Sequence, residues 1–465
     1  MSRSDRAHRI LYLVPQPFFV DRGAPFRVRA TAQALAQIGA EVDLCVFAPG
    51  KAVEIPGVTV IRTWRIPGLR RVPAGPSLSK AAYDVLLFLL ALKQVLTKRY
   101  TLIHGVEEGG FMAAVLGRAR RIPFVFEMYS SMPAEMRKLR SRPLRSLAQV
   151  FCQLESFTIR CASGLISVSG RDASRLQSIY PDLPMVMLEG VPIGAYSAPS
   201  EAEIHALREK LSLQGKRVIL YTGSSAQHQG VDLLLRSFAG YLRDSDREES
   251  RNIVLLIVGG AEIDNERWIR YRQLALNLNI EDRVFITGQR PGEGMNSYLS
   301  ISELVVSPRL EGREVSTKIC TYMASGVPIL ATALECHTRW LDCDTAFLAE
   351  PTLSAFQRGL ERALDRSCGS RVERERLSSN ARMRAERNFN GSELVETLRS
   401  LHRQLNANAY SPIRPAGSFS GDVFEDDESL SVKRRALIEW SAVGLLYLAL
   451  FQLWWQMVAE GVDLF

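Results

Sequence analysis

The chain has 465 residues, too many for one ordinary core, so two domains with additions are expected. Hydrophobic residues at 46% and charged residues at 23% exclude a disordered or fibrous chain. The 58 Lys and Arg against 50 Asp and Glu leave a net charge of +8, which suits anionic lipid, phosphorylated substrates or nucleic acid without choosing among them. The seven cysteines form no CxxC pair and no Cys/His cluster with zinc spacing, so free thiols in a reducing cytosol and no metal are expected. The polar N-terminus MSRSDRAHRI shows no signal peptide.

In chain order, Ile10–Val14 reads as a strand, Val28–Ile38 as a helix and Val42–Phe47 as a strand. Tyr83–Leu96 is very apolar but too short to span a bilayer, so it reads as a buried helix or a membrane-docking face. Leu102–His104, Pro123–Met128 and Gly164–Val168 are further strands. Leu188–Ser200, rich in Gly, Pro and Ser, marks a break, and a helix, Glu201–Leu211, follows it. A second series then runs through Arg217–Thr222, Ile253–Val258, Arg283–Ile286, Leu304–Val306, Val327–Ala331 and Ala346–Leu348. Continuous apolar strands alternating with helices imply parallel sheets covered on both faces. Two such series imply an α/β chain of two doubly wound domains, with ligands sought beyond the carboxyl ends of the strands and in a cleft where the two sheets face each other. The expected division is 1–195 and 196–405, the second including closing helices, then a flexible linker over 406–432 and a hydrophobic helix within 433–465. That helix holds the uncharged run Trp440–Ala459 after Lys433, Arg434 and Arg435. Its length, about 20 residues, permits a full span, although Gln452 and Gln456 also fit a helix lying flat on a membrane.

The stretch with the most chemistry is Ser307–Thr332, SPRLEGREVSTKICTYMASGVPILAT. A strand ends, a Gly-containing polar loop follows, and a helix starts near Ser316–Thr317 and stops at Gly326. A helix N-terminus at a strand's carboxyl end offers free amide N–H groups and a positive dipole end to phosphate, and Ser316 or Thr317 is placed to cap it. Lys318 sits in the first turn, where a cation opposes the dipole, and an anionic ligand supplies a reason for it.

This stretch resembles the donor-binding signature of glycosyltransferase family 4 (glycosyl transferases group 1), whose fold is GT-B. The resemblance extends over roughly 400 residues through weaker segments. Glu311 and Glu314 are the candidates for the first of two glutamates that bracket the family's loop, and Thr321 stands where the second is usual. Tyr221–Leu235 resembles the first strand and phosphate loop of the donor domain. Ser224, Ser225 and His228 lie there where Arg and Lys are common, so Arg309 and Lys318 become the candidate diphosphate clamp. Gly260 and Gln289 fall at the next two strand ends, and His337 lies in a pattern like a subgroup's His-Thr-x-x-Leu. In the first half, Asp21–Arg27 resembles the family's Gly-containing first loop, with Gly23 toward the donor. On the acceptor side stand His104, Glu107 or its neighbour Glu108, and Glu127, followed by Tyr129 in place of a histidine usual near the transferred sugar.

The resemblance implies a retaining transfer from a nucleotide diphosphate sugar, with no metal and no bound cofactor, and domain closure to exclude water. Arg309, Lys318, Glu311 and Tyr129 are the expected catalytic set, with Ser316, Thr317 and Glu314 on the donor. The expected acceptor is lipid-linked or a glycan, and the expected setting is the cytoplasmic face of a bacterial inner membrane, with polysaccharide biosynthesis and a glycan assembly complex as context. No nucleic-acid partner is expected. The alternative is a catalytically weak scaffold on the same fold, suggested by Tyr129, Ser225, His228 and Thr321.

Overall fold

The computed structural model describes residues 8–407 except 21–22, 70–71, 73–76, 130, 132–141, 169, 189, 191–197, 245–249, 260–265, 289–293, 313–315 and 390. The chain divides into two units, Met1–Glu189 with Gly391–Phe465, and Gly190–Asn390.

The first unit begins with β1 (Arg9–Pro17), whose run Ile10–Val14 is fully buried, as a strand covered on both faces must be. It continues through α1 (Gly23–Gln37), β2 (Glu41–Phe47), β3 (Val58–Arg62), α2 (Leu78–Thr97), β4 (Leu102–Val106), α3 (Glu108–Arg120), β5 (Phe124–Met128), α4 (Arg142–Cys161), β6 (Gly164–Ser167), α5 (Gly170–Ile179) and β7 (Met185–Met187). All seven strands pair in parallel in the order β3-β2-β1-β4-β5-β6-β7. The chain winds outward from β1 in one direction and from β4 in the other, so the switch point lies between these two strands. In α2, Tyr83, Leu87, Leu90, Ala91 and Val95 enter the core, so the apolar run is a buried helix, with Leu89 and Leu96 left on its outer face.

The second unit holds α6 (Glu201–Lys210), β8 (Arg217–Thr222), α7 (Val231–Asp244), β9 (Ile253–Val258), α8 (Glu266–Asn277), β10 (Val284–Ile286), α9 (Met295–Ser300), β11 (Leu304–Ser307), α10 (Thr317–Ser325), β12 (Ile329–Thr332), α11 (Glu335–Thr338), β13 (Phe347–Ala349), α12 (Leu353–Leu364) and α13 (Cys368–Asn388). Its six parallel strands run β10-β9-β8-β11-β12-β13, with the switch point between β8 and β11. The expectation of two doubly wound sheets holds. The strands β3 and β7, short and only partly buried, escaped the sequence reading: β3 is interrupted by Thr59 and ends on Arg62, and β7 is only three residues long.

The division of the chain differs from expectation at one place. The sequence pattern places residues 391–405 with the second domain, but α14 (Gly391–Ala407) belongs to the first unit. Leu394, Val395, Leu398 and Leu401 join the cluster of Ile10, Tyr12, Val28 and Leu35. The helix is amphipathic, and its apolar stripe had to be buried somewhere. Amphipathicity names no partner, and the partner proved to be the sheet face beneath α1. The hydrophobic segment within 433–465 lies outside the described residues. Among the described residues, no helix is long and apolar enough to cross a membrane.

Leu398 is fully buried in this seam. Leu398→Ala should lower the unfolding free energy by about 2–5 kcal/mol. Chemical denaturation of the two proteins measures the difference, and a loss below about 1 kcal/mol would show that α14 contributes little to the first unit.

Candidate active site

In the second unit the switch point places the ends of β8 and β11 side by side. After β8 the chain turns through Gly223 (φ +149°) and a short helical turn, Gln227–Gln229, and then reaches Gly230 at φ +73°. A β-carbon at Gly230 would lie 1.7 Å from the Pro308 carbonyl oxygen, so only glycine lets this loop close on the end of β11. The amide of Leu310 donates to the His228 carbonyl at 2.9 Å and fastens the two loops together.

Onto this platform α10 delivers Lys318. Its ammonium donates to the Thr222 carbonyl at 3.2 Å and to Gln229 Oε1 at 3.0 Å, and it stands 4.5 Å from the centre of the Tyr221 ring. All three partners are neutral, and among the described residues no carboxylate lies within ion-pair distance of Lys318. Burial, then the charge of Arg309, pushes the Lys318 pKa down from 10.5 to about 7. Ser316 occupies the N-cap position of α10, yet its side chain makes no cap hydrogen bond. The first-turn amides therefore lack the side-chain acceptor that the sequence suggested.

Arg309 is held at its backbone. Thr332 Oγ1 donates to the Arg309 carbonyl at 2.8 Å, and His337 Nδ1 donates to the Thr332 carbonyl at 2.7 Å. With Nδ1 protonated and burial lowering the His337 pKa to about 4, the neutral ring's Nε2 accepts from the Ser307 hydroxyl at 2.9 Å. His337 thus ties β11, β12 and α11 around Arg309. His228 is half-buried, its pKa lowered first by burial and then by Arg309. Ser224 is exposed, and its carbonyl accepts from the buried Tyr221 hydroxyl at 2.9 Å. Glu311 is exposed in the segment between β11 and α10, and Thr317 opens α10. Gly260, Gln289 and Glu314 lie outside the described residues.

The sequence reading missed Gln229, the residue that receives Lys318. Its signal was its place directly before Gly230, in the same loop as Ser225 and His228.

The first unit has a polar cluster at its own switch point. Glu127, at the end of β5, is fully buried. Tyr12 donates to its Oε2 at 2.7 Å and Tyr129 to its Oε1 at 3.0 Å. Burial raises the Glu127 pKa, while the two phenols and Arg27 oppose the rise. Glu107 stands between β4 and α3 at φ +49°, a costly backbone state for a glutamate and a common mark of a functional site. It accepts the Tyr129 amide at 2.8 Å through its carboxylate, and its own amide donates to the Glu127 carbonyl at 3.0 Å. Glu108 turns away, to Lys80 at 2.5 Å. Gly23 opens α1.

His104, expected on the acceptor side, is instead a core residue. It is fully buried, and its Nε2 lies 3.2 Å from Nε2 of His402 on α14. Nδ1 of His402 lies 3.2 Å from Nε2 of His8. Burial lowers all three pKa values, that of His402 to about 4, so the rings are neutral at pH 7 and bond to one another. The arrival of α14 covers this part of β4.

Residues 22–188 match the glycosyl transferase 4-like domain, and residues 216–366 match the glycosyl transferases group 1 domain. The chain is a GT-B glycosyltransferase with a family 4-like domain. Among sequence relatives, the alpha-D-kanosaminyltransferase of Streptomyces kanamyceticus is 25% identical over 309 residues, covering 65% of this chain and 75% of that protein. The sucrose-phosphate synthase of Thermosynechococcus elongatus superposes with a TM-score of 0.65 at 20% identity, over 87% of this chain and 100% of that one. The Anabaena protein HepE, solved in complex with UDP and glucose, gives a TM-score of 0.65 at 16% identity, over 86% of this chain and 100% of that one. At these identities the structural likeness shows the fold.

The empty site makes a pH prediction. Between about pH 7 and the ordinary lysine value of 10.5, Lys318 is neutral in the folded chain and charged in the unfolded one. Folding therefore releases a proton, and stability should rise with pH across that window. Lys318→Met should flatten the rise and match or exceed the wild type in melting temperature at pH 7. Melting curves from pH 6 to 9 decide it, and a variant that melts much lower at every pH would show Lys318 to be structural.

Proposed function

We propose that the chain transfers a sugar from a nucleotide diphosphate sugar to a glycan or lipid-linked acceptor, with retention at the anomeric carbon and without a metal. The supporting observation is the Lys318 ammonium, which among the described residues has only neutral partners and stands at a switch point beside the uncapped start of α10. A diphosphate supplies the missing negative charge. Arg309, Lys318 and the first-turn amides would stabilise the charge that builds on it as the sugar–phosphate bond breaks. Ser224, His228, Gly260, Gln289, Glu311, Glu314, Ser316 and Thr317 are proposed around the donor. UDP, bound in the HepE structure, is the first nucleotide to test.

The acceptor is assigned to the first unit, at Glu107, Glu127 and Tyr129. The Tyr129 hydroxyl donates a hydrogen bond to Glu127, and burial and the Glu127 charge raise its pKa, so it is no base. In the proposed step the acceptor oxygen bonds to the anomeric carbon as the phosphate leaves, and the acceptor proton passes to the departing phosphate oxygen. Tyr129 then only positions the sugar.

Calorimetry with UDP tests the donor half. Wild type should bind, and Lys318→Met should weaken binding by about tenfold or more, the more so below pH 7, where the lost charge would be full. Tyr129→Phe should bind UDP normally and turn over about 10-fold more slowly, as for one lost hydrogen bond of about 1.4 kcal/mol. Unchanged UDP affinity in Lys318→Met would remove the clamp, and unchanged turnover in Tyr129→Phe would remove its positioning role.

We also propose that the segment Trp440–Ala459 holds the protein at the cytoplasmic face of a membrane, near the lipid-linked acceptor. The support is its uncharged length after three basic residues. A chain ending before Ser429 should leave membranes and stay folded. Continued sedimentation with membranes would assign the anchor to the first unit.

A further inference from the structure

Arg27 stands in the second turn of α1 and is only 6% exposed. A guanidinium is always charged, and burying it without an oxyanion carries a desolvation penalty that proteins ordinarily offset with a carboxylate. Here, among the described residues, no carboxylate meets the guanidinium directly; Glu127 acts on it only through space. Among the described residues Arg27 forms no hydrogen bond and no ion pair. Its contact is with a neutral surface, the Tyr129 ring, whose centre lies 4.9 Å from the guanidinium carbon. Its nitrogens are also not among the solvent-excluded polar atoms that lack a partner, so a ligand can reach the group.

Among the described residues, the carboxylate that acts on Arg27 is already engaged. Glu127 feels Arg27 through space, but both its oxygens accept hydrogen bonds from phenols, those of Tyr12 and Tyr129. Glu107 spends one oxygen on the Tyr129 amide. The cluster thus carries a buried cation whose hydrogen-bonding fork is unused, at the end of the sheet where a doubly wound domain takes its ligand. Five N–H donors in one plane match two oxygens of a phosphate or carboxylate far better than a single sugar hydroxyl.

We infer that Arg27 anchors an oxyanion, a phosphate or carboxylate, carried by the acceptor. This rests on the reading of the first unit as the acceptor side and adds the class of acceptor: a charged one. Tyr129, stacked on Arg27 and hydrogen-bonded to Glu127, sets the direction of the fork and is the positioning residue for it. Donor diphosphate is the other source of the same chemistry, and the experiment separates the two.

The full chain would be titrated with inorganic phosphate, glucose 6-phosphate, glucose and UDP, followed by calorimetry and melting temperature, as wild type, Arg27→Gln and Arg27→Lys. Wild type should bind glucose 6-phosphate at least about tenfold more tightly than glucose. Arg27→Gln should lose that preference, and Arg27→Lys, which keeps the charge without the fork, should recover part of it. UDP affinity should stay within about twofold in all three. Arg27→Gln also loses the through-space attraction to Glu127, so the melting temperature without ligand reports whether it folds; should it fail to fold, Arg27→Lys carries the comparison alone. Equal binding of glucose and glucose 6-phosphate by wild type, or an undiminished preference in both variants, would overturn the inference. A fall in UDP affinity that tracks the loss of phosphate binding would assign the oxyanion to the donor and overturn the acceptor class. Failure of wild type to bind UDP would count against the donor reading and leave the phosphate comparison standing.

Discussion

Among the described residues, the ammonium of Lys318 is held by a backbone carbonyl, a side-chain amide and an aromatic face, and by no carboxylate. Much of the second unit is arranged to make that placement possible. Gly230 lets the loop after β8 close on the end of β11, so that Thr222 and Gln229 stand where α10 can reach them. Tyr322, one turn along α10, fixes the same strand end by accepting the Thr222 amide at 2.9 Å. The His337 bridge fixes the Arg309 backbone from the other side. A cation placed so firmly among neutral groups is a cost to the empty protein and becomes an asset once an anion arrives.

The first unit repeats the arrangement with the signs mixed. A carboxylate, Glu127, is buried and satisfied by two phenols, while a guanidinium, Arg27, is buried and left with an aromatic face. The strained backbone of Glu107 joins them through Tyr129. In both units the unsatisfied positive group lies at the switch point of a doubly wound sheet. Helix starts and glycine turns gather there, and water can be replaced by ligand. The departures at Tyr129, Ser225, His228 and Thr321, which suggested a weak scaffold, are accompanied by replacement contacts at two points. Tyr129 is built into the Glu127 cluster, and Lys318 brings a cation to the loop that has Ser225 and His228 in place of Arg and Lys.

The sequence by itself determined the two parallel sheets, because strands buried on both faces must be continuously apolar and such runs are visible one by one. It also made Lys318 a donor candidate, because a cation in the first turn of a helix after a polar, Gly-containing loop is a local pattern; Arg309 was added by the resemblance to the family. Tertiary structure decided what those residues touch. Lys318 meets Thr222 across 96 positions of sequence, and no periodicity reports a contact of that range. His104 sat at a strand end like any site residue, and only the docking of α14, carrying His402, turned it into core. The apolar stripe of α14 was legible, but its partner was not, since burial requires a covering surface without naming one. Arg27 lay in plain view within the Asp21–Arg27 segment, and its want of a counterion emerged only when the fold enclosed it beside Tyr129.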